Sequence, residues 1–211
     1  MVSIDSSAVI WSVPEGERDG LPLVVLLHGV GSHEGDLISL VPYLPQGFVY
    51  ASLRAPLTYG GGWSWYPLSL PGSPEIGPVD EAAEAVRAWI STLGGVHPSV
   101  SLLGFSQGGS LSLQLLRQAP ESFAFAVVLA GFVVPNGDQV QDARLASIRP
   151  SVFYGHGDVD QVIPADAVAR TEAWVAEHTD AELTVYAGLA HGISAEELTD
   201  VNAFIGRVLL P

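Results

Sequence analysis

The 211-residue chain contains no cysteine and no lysine. Without cysteine the protein has no disulfide, no thiolate metal site and no cysteine nucleophile. Its eight arginines stand against 23 acidic residues, which gives a formal net charge of −15 at pH 7. A field of that sign repels nucleic acid and anionic membrane surfaces, so we expect neither as a partner.

Long apolar runs are also missing. No segment reaches the ~18 apolar residues that a membrane-spanning helix needs, and the first residues lack the features of a signal peptide. We therefore expect a cytoplasmic protein without integral membrane contact. Apolar residues make up 48% of the chain and charged residues 15%, which is typical of a well-packed globular protein. We expect a single domain over residues 1–211.

Strand-like and helix-like segments alternate along the chain. The predicted strands are mostly continuous apolar runs, and the predicted helices carry apolar residues at helical spacing. We predict strands at 8–13, 21–27, 48–53, 99–104, 123–130, 150–154 and 182–186, and helices at 78–90, 109–118, 165–178 and 195–209. This alternation predicts an α/β fold, a doubly wound and mainly parallel sheet flanked by helices. A chain of this length leaves no room for a cap domain.

The segment Gly104-Phe105-Ser106-Gln107-Gly108 has the G-x-S-x-G pattern of a nucleophile elbow. In such an elbow the serine lies at a strand-to-helix turn so tight that its backbone is strained, and glycines two residues away on either side leave the room. The strand predicted before Ser106 and the helix predicted after it match this context. That helix also directs the backbone N–H of Gln107 towards the space beside the serine hydroxyl, where an oxyanion would form.

A second turn follows the central strand predicted at 21–27. It reads His28-Gly29-Val30, and its position at the carboxyl end of a central strand puts it at the same sheet edge as Ser106. We interpret the backbone N–H of Val30 as a second oxyanion donor beside that of Gln107. A glycine-rich connection without a catalytic role is the alternative.

Residues 57–77 change in character. Glycine and proline interrupt this segment, and four aromatic residues lie in it, which predicts a long irregular loop with a function. We interpret Trp63, Trp65 and Tyr66 as part of the wall of an acyl or alcohol pocket. The alternative is that these rings cover the edge of the sheet.

A serine hydroxyl needs a base to accept its proton and a carboxylate to orient that base. His191 follows the last predicted strand, so it fits the chain order serine, acid, histidine that α/β hydrolases use. Asp158 and Asp160 both follow the strand predicted at 150–154. Their spacing alone does not separate the two candidates for the acid.

Four segments of the chain together carry a family resemblance. They are residues 27–31, 104–109, 156–164 and 190–191. These segments resemble the phospholipase/carboxylesterase family, which includes the acyl-protein thioesterases. The resemblance implies an α/β-hydrolase fold, Asp160 as the acid, and Val30 and Gln107 as oxyanion donors. Asp158 would then be a turn-forming residue. One departure is Ser32, where better-known thioesterases carry an aspartate.

The motif and the resemblance together predict a serine hydrolase for small to medium carboxylic esters, with thioesters and lysophospholipids as related substrates. Ser106 would attack the carbonyl, His191 would act as the base and Asp160 would orient it, through an acyl-enzyme and without a metal or organic cofactor. The expected partner is a small acyl ester, and a homodimer stays open. Amide or lactone hydrolysis by the same residues, and ligand binding without catalysis, are the alternatives.

Overall fold

The computed structural model describes residues 2–68 and 72–209, and its centre is a seven-stranded sheet. In chain order the strands are β1 (Ile10–Trp11), β2 (Leu23–Leu27), β3 (Val49–Leu53), β4 (Leu57–Tyr59), β5 (Gly62–Ser64), β6 (Val100–Phe105), β7 (Phe125–Leu129), β8 (Ser151–Gly157) and β9 (Asp180–Tyr186). β4 and β5 form a separate antiparallel hairpin, while the others are ordered β1-β3-β2-β6-β7-β8-β9. β1 pairs antiparallel with β3 and the remaining pairs are parallel.

Helices cover both faces of the sheet. In the described part of the chain they are α1 (Ile76–Thr92), α2 (Gln107–Gln118), α3 (Gln139–Ile148), α4 (Ala165–His178) and α5 (Ala195–Leu209). α1 to α4 pack on one face, and α5 packs on the other together with a 3-10 segment at Leu37–Tyr43. Side chains of the buried strands alternate between these two cores. The predicted doubly wound α/β arrangement is confirmed, and no helix of residues 2–68 and 72–209 is long and apolar enough to span a membrane.

The strand register brings the carboxyl ends of the central strands together. Leu27 at the end of β2 lies opposite Gly104 of β6, and Phe105 at the end of β6 lies opposite Leu129 of β7. Leu129 in turn pairs with Gly155 of β8. The turns that follow these strands therefore share one edge of the sheet, which is where open α/β sheets place their ligands.

The segment at 57–77 differs from the prediction of one irregular loop. It contains the β4–β5 hairpin, whose turn is formed by Gly60 and Gly61, and it ends in the first turn of α1. A bridge between Ser32 and Trp63 attaches the hairpin to the turn after β2. Residues 69–71 of the predicted loop lie outside the described residues.

Helix α3 is absent from the sequence-based prediction. Its sequence has no apolar stripe at helical spacing, and accordingly only Leu145 of this helix is fully buried. Two polar contacts fix the helix instead. Asp138 caps its first turn through a hydrogen bond from the Val140 N–H, and Asp142 pairs at 2.7 Å with the buried guanidinium of Arg117 on α2.

One carboxyl group is buried in the core beneath α5. Glu197 is 1% exposed, it packs against Gly155 of β8, and its Oε2 atom has no hydrogen-bond partner among the described residues. Its backbone N–H donates to Ser194 Oγ at 3.0 Å. Burial, with a smaller contribution from the charge of Asp200, raises the pKa of Glu197 to about 7 from an ordinary value of 4.5.

This raised pKa predicts a pH-dependent stability. Below the ordinary pKa, Glu197 is protonated in both states and costs nothing. As the pH rises towards 7 the unfolded chain ionises first, so stability falls, and above pH 7 the loss stays constant. We expect the stability of Glu197→Gln relative to the parent to rise by a few kcal/mol between about pH 5 and pH 8. Urea unfolding across this range measures the difference.

A matched control for this prediction is Glu196→Gln, because Glu196 lies one residue away on the exposed side of α5. We expect its stability relative to the parent to stay the same across the pH range. A Glu197→Gln difference that is equally flat would contradict the assignment of a buried acid that titrates near neutral pH.

Candidate active site

Ser106 lies at the junction between β6 and α2. Its backbone angles are φ 56° and ψ −116°, so the predicted strain is confirmed. A non-glycine residue held in such a region costs on the order of 1–3 kcal/mol. Hydrogen bonds hold it there, because the Ser106 N–H donates to the Leu129 carbonyl and the Ser106 carbonyl accepts from the Ser110 N–H, each at 2.9 Å.

The two glycines of the motif are required by close packing. A β-carbon at position 104 would lie 2.2 Å from the Gly108 carbonyl oxygen, and one at position 108 would lie 1.9 Å from the Leu27 carbonyl oxygen. The first turn of α2 therefore rests directly on the end of β2. This contact puts the turn at His28-Gly29-Val30 beside the nucleophile elbow.

Three side chains from three different loops form a hydrogen-bonded line. His191 Nε2 lies 2.9 Å from Ser106 Oγ, and His191 Nδ1 lies 2.7 Å from Asp160 Oδ2. The second oxygen of Asp160 accepts from the backbone N–H groups of Val162 at 2.7 Å and Ile163 at 3.2 Å. Because a carboxylate accepts, Nδ1 of His191 carries the proton and Nε2 turns a lone pair to the serine hydroxyl.

The environment of Asp160 keeps this acid ionised. Its side chain is only 3% exposed, and burial alone would raise the pKa of its carboxyl group. Hydrogen bonds from His191 and from the Val162 and Ile163 N–H groups outweigh burial, so the pKa of Asp160 lies below its ordinary value. A carboxylate that stays ionised can orient the imidazole and stabilise it when it accepts a proton.

Asp158 has a different set of contacts. Its Oδ1 atom accepts from the Gly188 N–H at 2.7 Å, which links the loop after β8 to the loop after β9. The contact to His191 is made by Asp160. Of the two candidates that spacing alone left open, the geometry therefore favours Asp160.

Two backbone N–H groups of the cleft, those of Val30 and Gln107, have no hydrogen-bond partner among the described residues. Gln107 is the first residue of α2, and the first N–H groups of a helix have no partner within it. In the turn after β2 the neighbouring N–H groups are engaged, since Gly31 donates to Trp63 and Ser32 donates to Gly29. Val30 and Gln107 both line the cleft that contains Ser106.

An apolar cleft of about 130 Å³ lies beside Ser106. Its walls come from the turn after β2, the segment before α1, the loop after β7 and the loop that carries Asp160. The lining residues are Val30, Tyr66, Leu68, Gly72, Pro74, Ser106, Gln107, Phe132, Val162 and Ile163. A wider depression of about 460 Å³ lies at the amino ends of β8 and β9, so it is at the opposite edge of the sheet.

Of the three aromatic residues that we interpreted as part of a pocket wall, two do not line the cleft. Tyr66 lines the cleft, but Trp65 is 1% exposed and lies in the core, where its indole N–H donates to the His28 carbonyl at 2.7 Å. Trp63 lies against Arg54, whose guanidinium carbon is 4.8 Å from the ring centroid. Trp63 lies in the β4–β5 hairpin and Trp65 directly follows it. Because the hairpin packs on the turn after β2, neither ring lines the cleft.

The Gln107 side chain has a role that the sequence did not indicate. Its Oε1 atom accepts from the Trp65 N–H at 2.9 Å, and its Nε2 atom donates to the Tyr66 carbonyl at 2.9 Å. The same Nε2 atom also donates to Ser64 Oγ at 3.0 Å, and the Ser64 hydroxyl in turn donates to the Tyr66 carbonyl at 2.5 Å. The amide therefore ties one wall of the cleft to the elbow.

Among the described residues no group of three or more His, Asp or Glu is arranged to hold a metal ion.

The chain matches the phospholipase/carboxylesterase family over residues 10–209. It belongs to this family. It is therefore a serine hydrolase of the esterase type, and the resemblance that the sequence motifs indicated is confirmed.

Known relatives of similar length support this assignment. Acyl-protein thioesterase 1 of Saccharomyces cerevisiae is 26% identical over 212 aligned positions, covering 88% of this chain and 92% of the yeast protein. Acyl-protein thioesterase 1 of Candida albicans is 25% identical and covers 93% of this chain and 96% of that protein. The crystal structure of esterase PE8 superimposes with a TM-score of 0.80 at 26% identity, covering 98% of this chain and all of PE8.

The packing of the elbow predicts opposite effects for two helical glycines. Gly108→Ala places a methyl group against the Leu27 carbonyl, so we expect it to lower the free energy of unfolding by several kcal/mol. Gly206→Ala on α5 meets open space and improves helix propensity, so we expect it to raise that free energy by about 0.5–1 kcal/mol. Urea unfolding of both variants measures this. Equal effects would contradict the close approach of α2 to β2.

Proposed function

We propose that this protein hydrolyses carboxylic esters with small to medium acyl groups through Ser106, His191 and Asp160. The observation that carries the proposal is the hydrogen-bonded line from Ser106 Oγ through His191 to Asp160, with spacings of 2.9 and 2.7 Å, at the side of an apolar cleft. Such a line can activate a serine, and the cleft can receive an acyl chain.

The first half of the reaction acylates the serine. Ser106 Oγ attacks the ester carbonyl carbon while its proton passes to His191 Nε2, and Asp160 stabilises the imidazolium that forms. The N–H groups of Val30 and Gln107 hold the oxygen on which negative charge develops. The tetrahedral intermediate then collapses, the bond to the alcohol breaks, and His191 returns its proton to the leaving oxygen.

The second half releases the acid. A water molecule gives its proton to His191 Nε2 and attacks the acyl carbon, and the same two N–H groups hold the second oxyanion. Collapse of this intermediate breaks the bond to Ser106 Oγ, which takes back the proton from His191. The products are a carboxylic acid, which ionises, and the free enzyme.

The size of the cleft supports a limit on the acyl group. A cavity of about 150 Å³ can hold benzene, so a cleft of about 130 Å³ fits an acyl tail of roughly six carbons. Leu68 and Val162 at its mouth are half-exposed, which gives a longer chain an apolar path outward. No charged side chain is among the described residues that line the cleft, which favours a neutral acyl group.

The leaving group is less defined than the acyl group. The named activity of the yeast relatives favours thioesters as a second substrate class, because thioester and ester carbonyls use the same nucleophile and oxyanion donors. Lysophospholipid, amide and lactone hydrolysis need the same residues. A cytoplasmic location and a homodimer stay predictions from the sequence.

The first test is hydrolysis of p-nitrophenyl esters with acyl chains from about two to twelve carbons, with thioester analogues alongside. We expect the highest kcat/KM at about four to six carbons, since a longer tail leaves the cleft. Ser106→Ala should lower the rate by at least about 10³-fold. Turnover that survives in Ser106→Ala would overturn the assignment of the nucleophile. No turnover of any ester or thioester would favour an amidase or a ligand-binding protein.

A second test compares the two aspartates. Asp160→Asn removes the charge that orients His191, so we expect kcat/KM to fall by about 10⁴-fold, as in other serine triads. Asp158→Asn is the matched control, because this residue contacts Gly188 instead, and we expect a change of less than about threefold. Ester hydrolysis at pH 8 measures both. A larger loss of kcat/KM in Asp158→Asn than in Asp160→Asn would contradict the role given to Asp160.

A further inference from the structure

A buried histidine near the site has no part in the mechanism above. His28 at the end of β2 is fully buried, and both of its ring nitrogens are within hydrogen-bond distance of the backbone. Nε2 lies 3.2 Å from the Ala55 N–H, and Nδ1 lies 2.8 Å from the Gly29 carbonyl oxygen. A backbone N–H can only donate, so Nε2 is the acceptor and Nδ1 carries the proton.

His28 is therefore a neutral donor with one fixed tautomer. Burial is the main cause that lowers the pKa of His28, which favours the uncharged ring. Its Nδ1–H donates to the Gly29 carbonyl oxygen, and the Ser32 N–H donates to the same oxygen at 3.2 Å. Two donors, one before and one after Gly29 in the sequence, thus fix the direction of one carbonyl group.

That carbonyl belongs to the peptide that also contains the Val30 N–H. In a trans peptide the C=O and the N–H point in opposite directions, so a fixed Gly29 carbonyl also fixes the Val30 N–H. The N–H points away from the His28 ring. Gly29 itself touches the elbow, since a β-carbon there would lie 3.4 Å from Ser106 Cβ.

The preceding peptide is held in the same way. The His28 carbonyl accepts from the Trp65 indole N–H at 2.7 Å, and the two rings pack with their centroids 5.3 Å apart. Glycines at positions 29 and 31 give the turn little stiffness of its own, and Gly31 has φ +79°. Side-chain hydrogen bonds therefore supply the rigidity that the backbone lacks.

We propose that His28 is a positioning residue that holds the Val30 N–H in the oxyanion site, with Trp65 as its support. If the peptide between Gly29 and Val30 turned over, a carbonyl oxygen would face the developing negative charge in place of a donor. The His28 Nδ1–H opposes that rotation. The inference rests on the proposed function, because it concerns the same oxyanion.

Two variants separate the hydrogen bonds of His28. His28→Asn places an amide near the position of Nδ1, so it can still donate to the Gly29 carbonyl. His28→Gln places its amide near the position of Nε2, so it keeps the contact to Ala55 and loses the donor. We expect His28→Gln to lower kcat/KM for a p-nitrophenyl ester by about 10²-fold, the loss typical of one oxyanion donor. His28→Asn should stay within about tenfold of the parent.

A transition-state analogue gives a readout that general damage to the fold would not move in this way. A trifluoromethyl ketone adds to Ser106 and forms an oxyanion, so its Ki should rise in His28→Gln by the same factor by which kcat/KM falls. KM for the ester should change little. Equal changes in KM and Ki, or an unchanged Ki, would overturn the inference.

Turnover by the parent enzyme distinguishes a failure of the proposed function from a failure of the role given to His28. No turnover by the parent would refute the proposed function, whereas an active parent with an active His28→Gln variant would refute only the role of His28. Thermal unfolding checks that each variant is folded. If His28→Gln does not fold, Trp65→Phe removes the indole donor and keeps a ring, and we expect Ki and kcat/KM to change together by about tenfold. Unchanged values in that variant would overturn the inference.

Discussion

The active site depends on the close approach between the first turn of α2 and the end of β2. At Gly108 this approach leaves no room for a β-carbon, because the carbonyl oxygens of Leu27 and His28 occupy that space. The contact brings together two turns that are distant in the chain. One of them carries Ser106 and the Gln107 N–H, and the other carries the Val30 N–H. Every interaction that we assign to the oxyanion requires this packing.

Polar groups buried around that contact make the site rigid. The Gln107 amide holds the segment after the β4–β5 hairpin, and from that segment Trp65 holds the His28 carbonyl. His28 in turn holds Gly29. Donors that are fixed before the reaction cost no reorganisation when charge develops. The cleft beside Ser106 has mostly apolar walls, and one methylene in an apolar pocket changes discrimination by about 1–3 kcal/mol. Under the proposed function, the fixed donors therefore act on the charge that develops in the reaction, and the cleft acts on the length of the acyl group.

The sequence predicted those parts of the structure that a short stretch of residues determines by itself. The elbow has a glycine pattern that one turn geometry demands, and helices α4 and α5 have apolar stripes that gave both bounds correctly. It did not predict α3, because Arg117 on another helix holds it through Asp142. It also misplaced Trp63 and Trp65, since an aromatic residue in a loop has no signal for which side it packs on. Spacing alone did not separate Asp158 from Asp160, whereas the family resemblance and the contact of Asp160 with His191 both favour Asp160.

The charge of the chain acts differently on substrate and product. Under the proposed function, a neutral ester approaches a protein of net charge −15 without electrostatic cost, and apolar contacts in the cleft bind its acyl group. Hydrolysis turns it into a carboxylate, which the same field repels over about 8 Å at physiological salt. In the proposed mechanism, the N–H groups of Val30 and Gln107 stabilise the negative charge of the tetrahedral oxygen. In that mechanism the negative charge is stabilised in the transition state, and the net negative charge of the protein favours the departure of the anionic product.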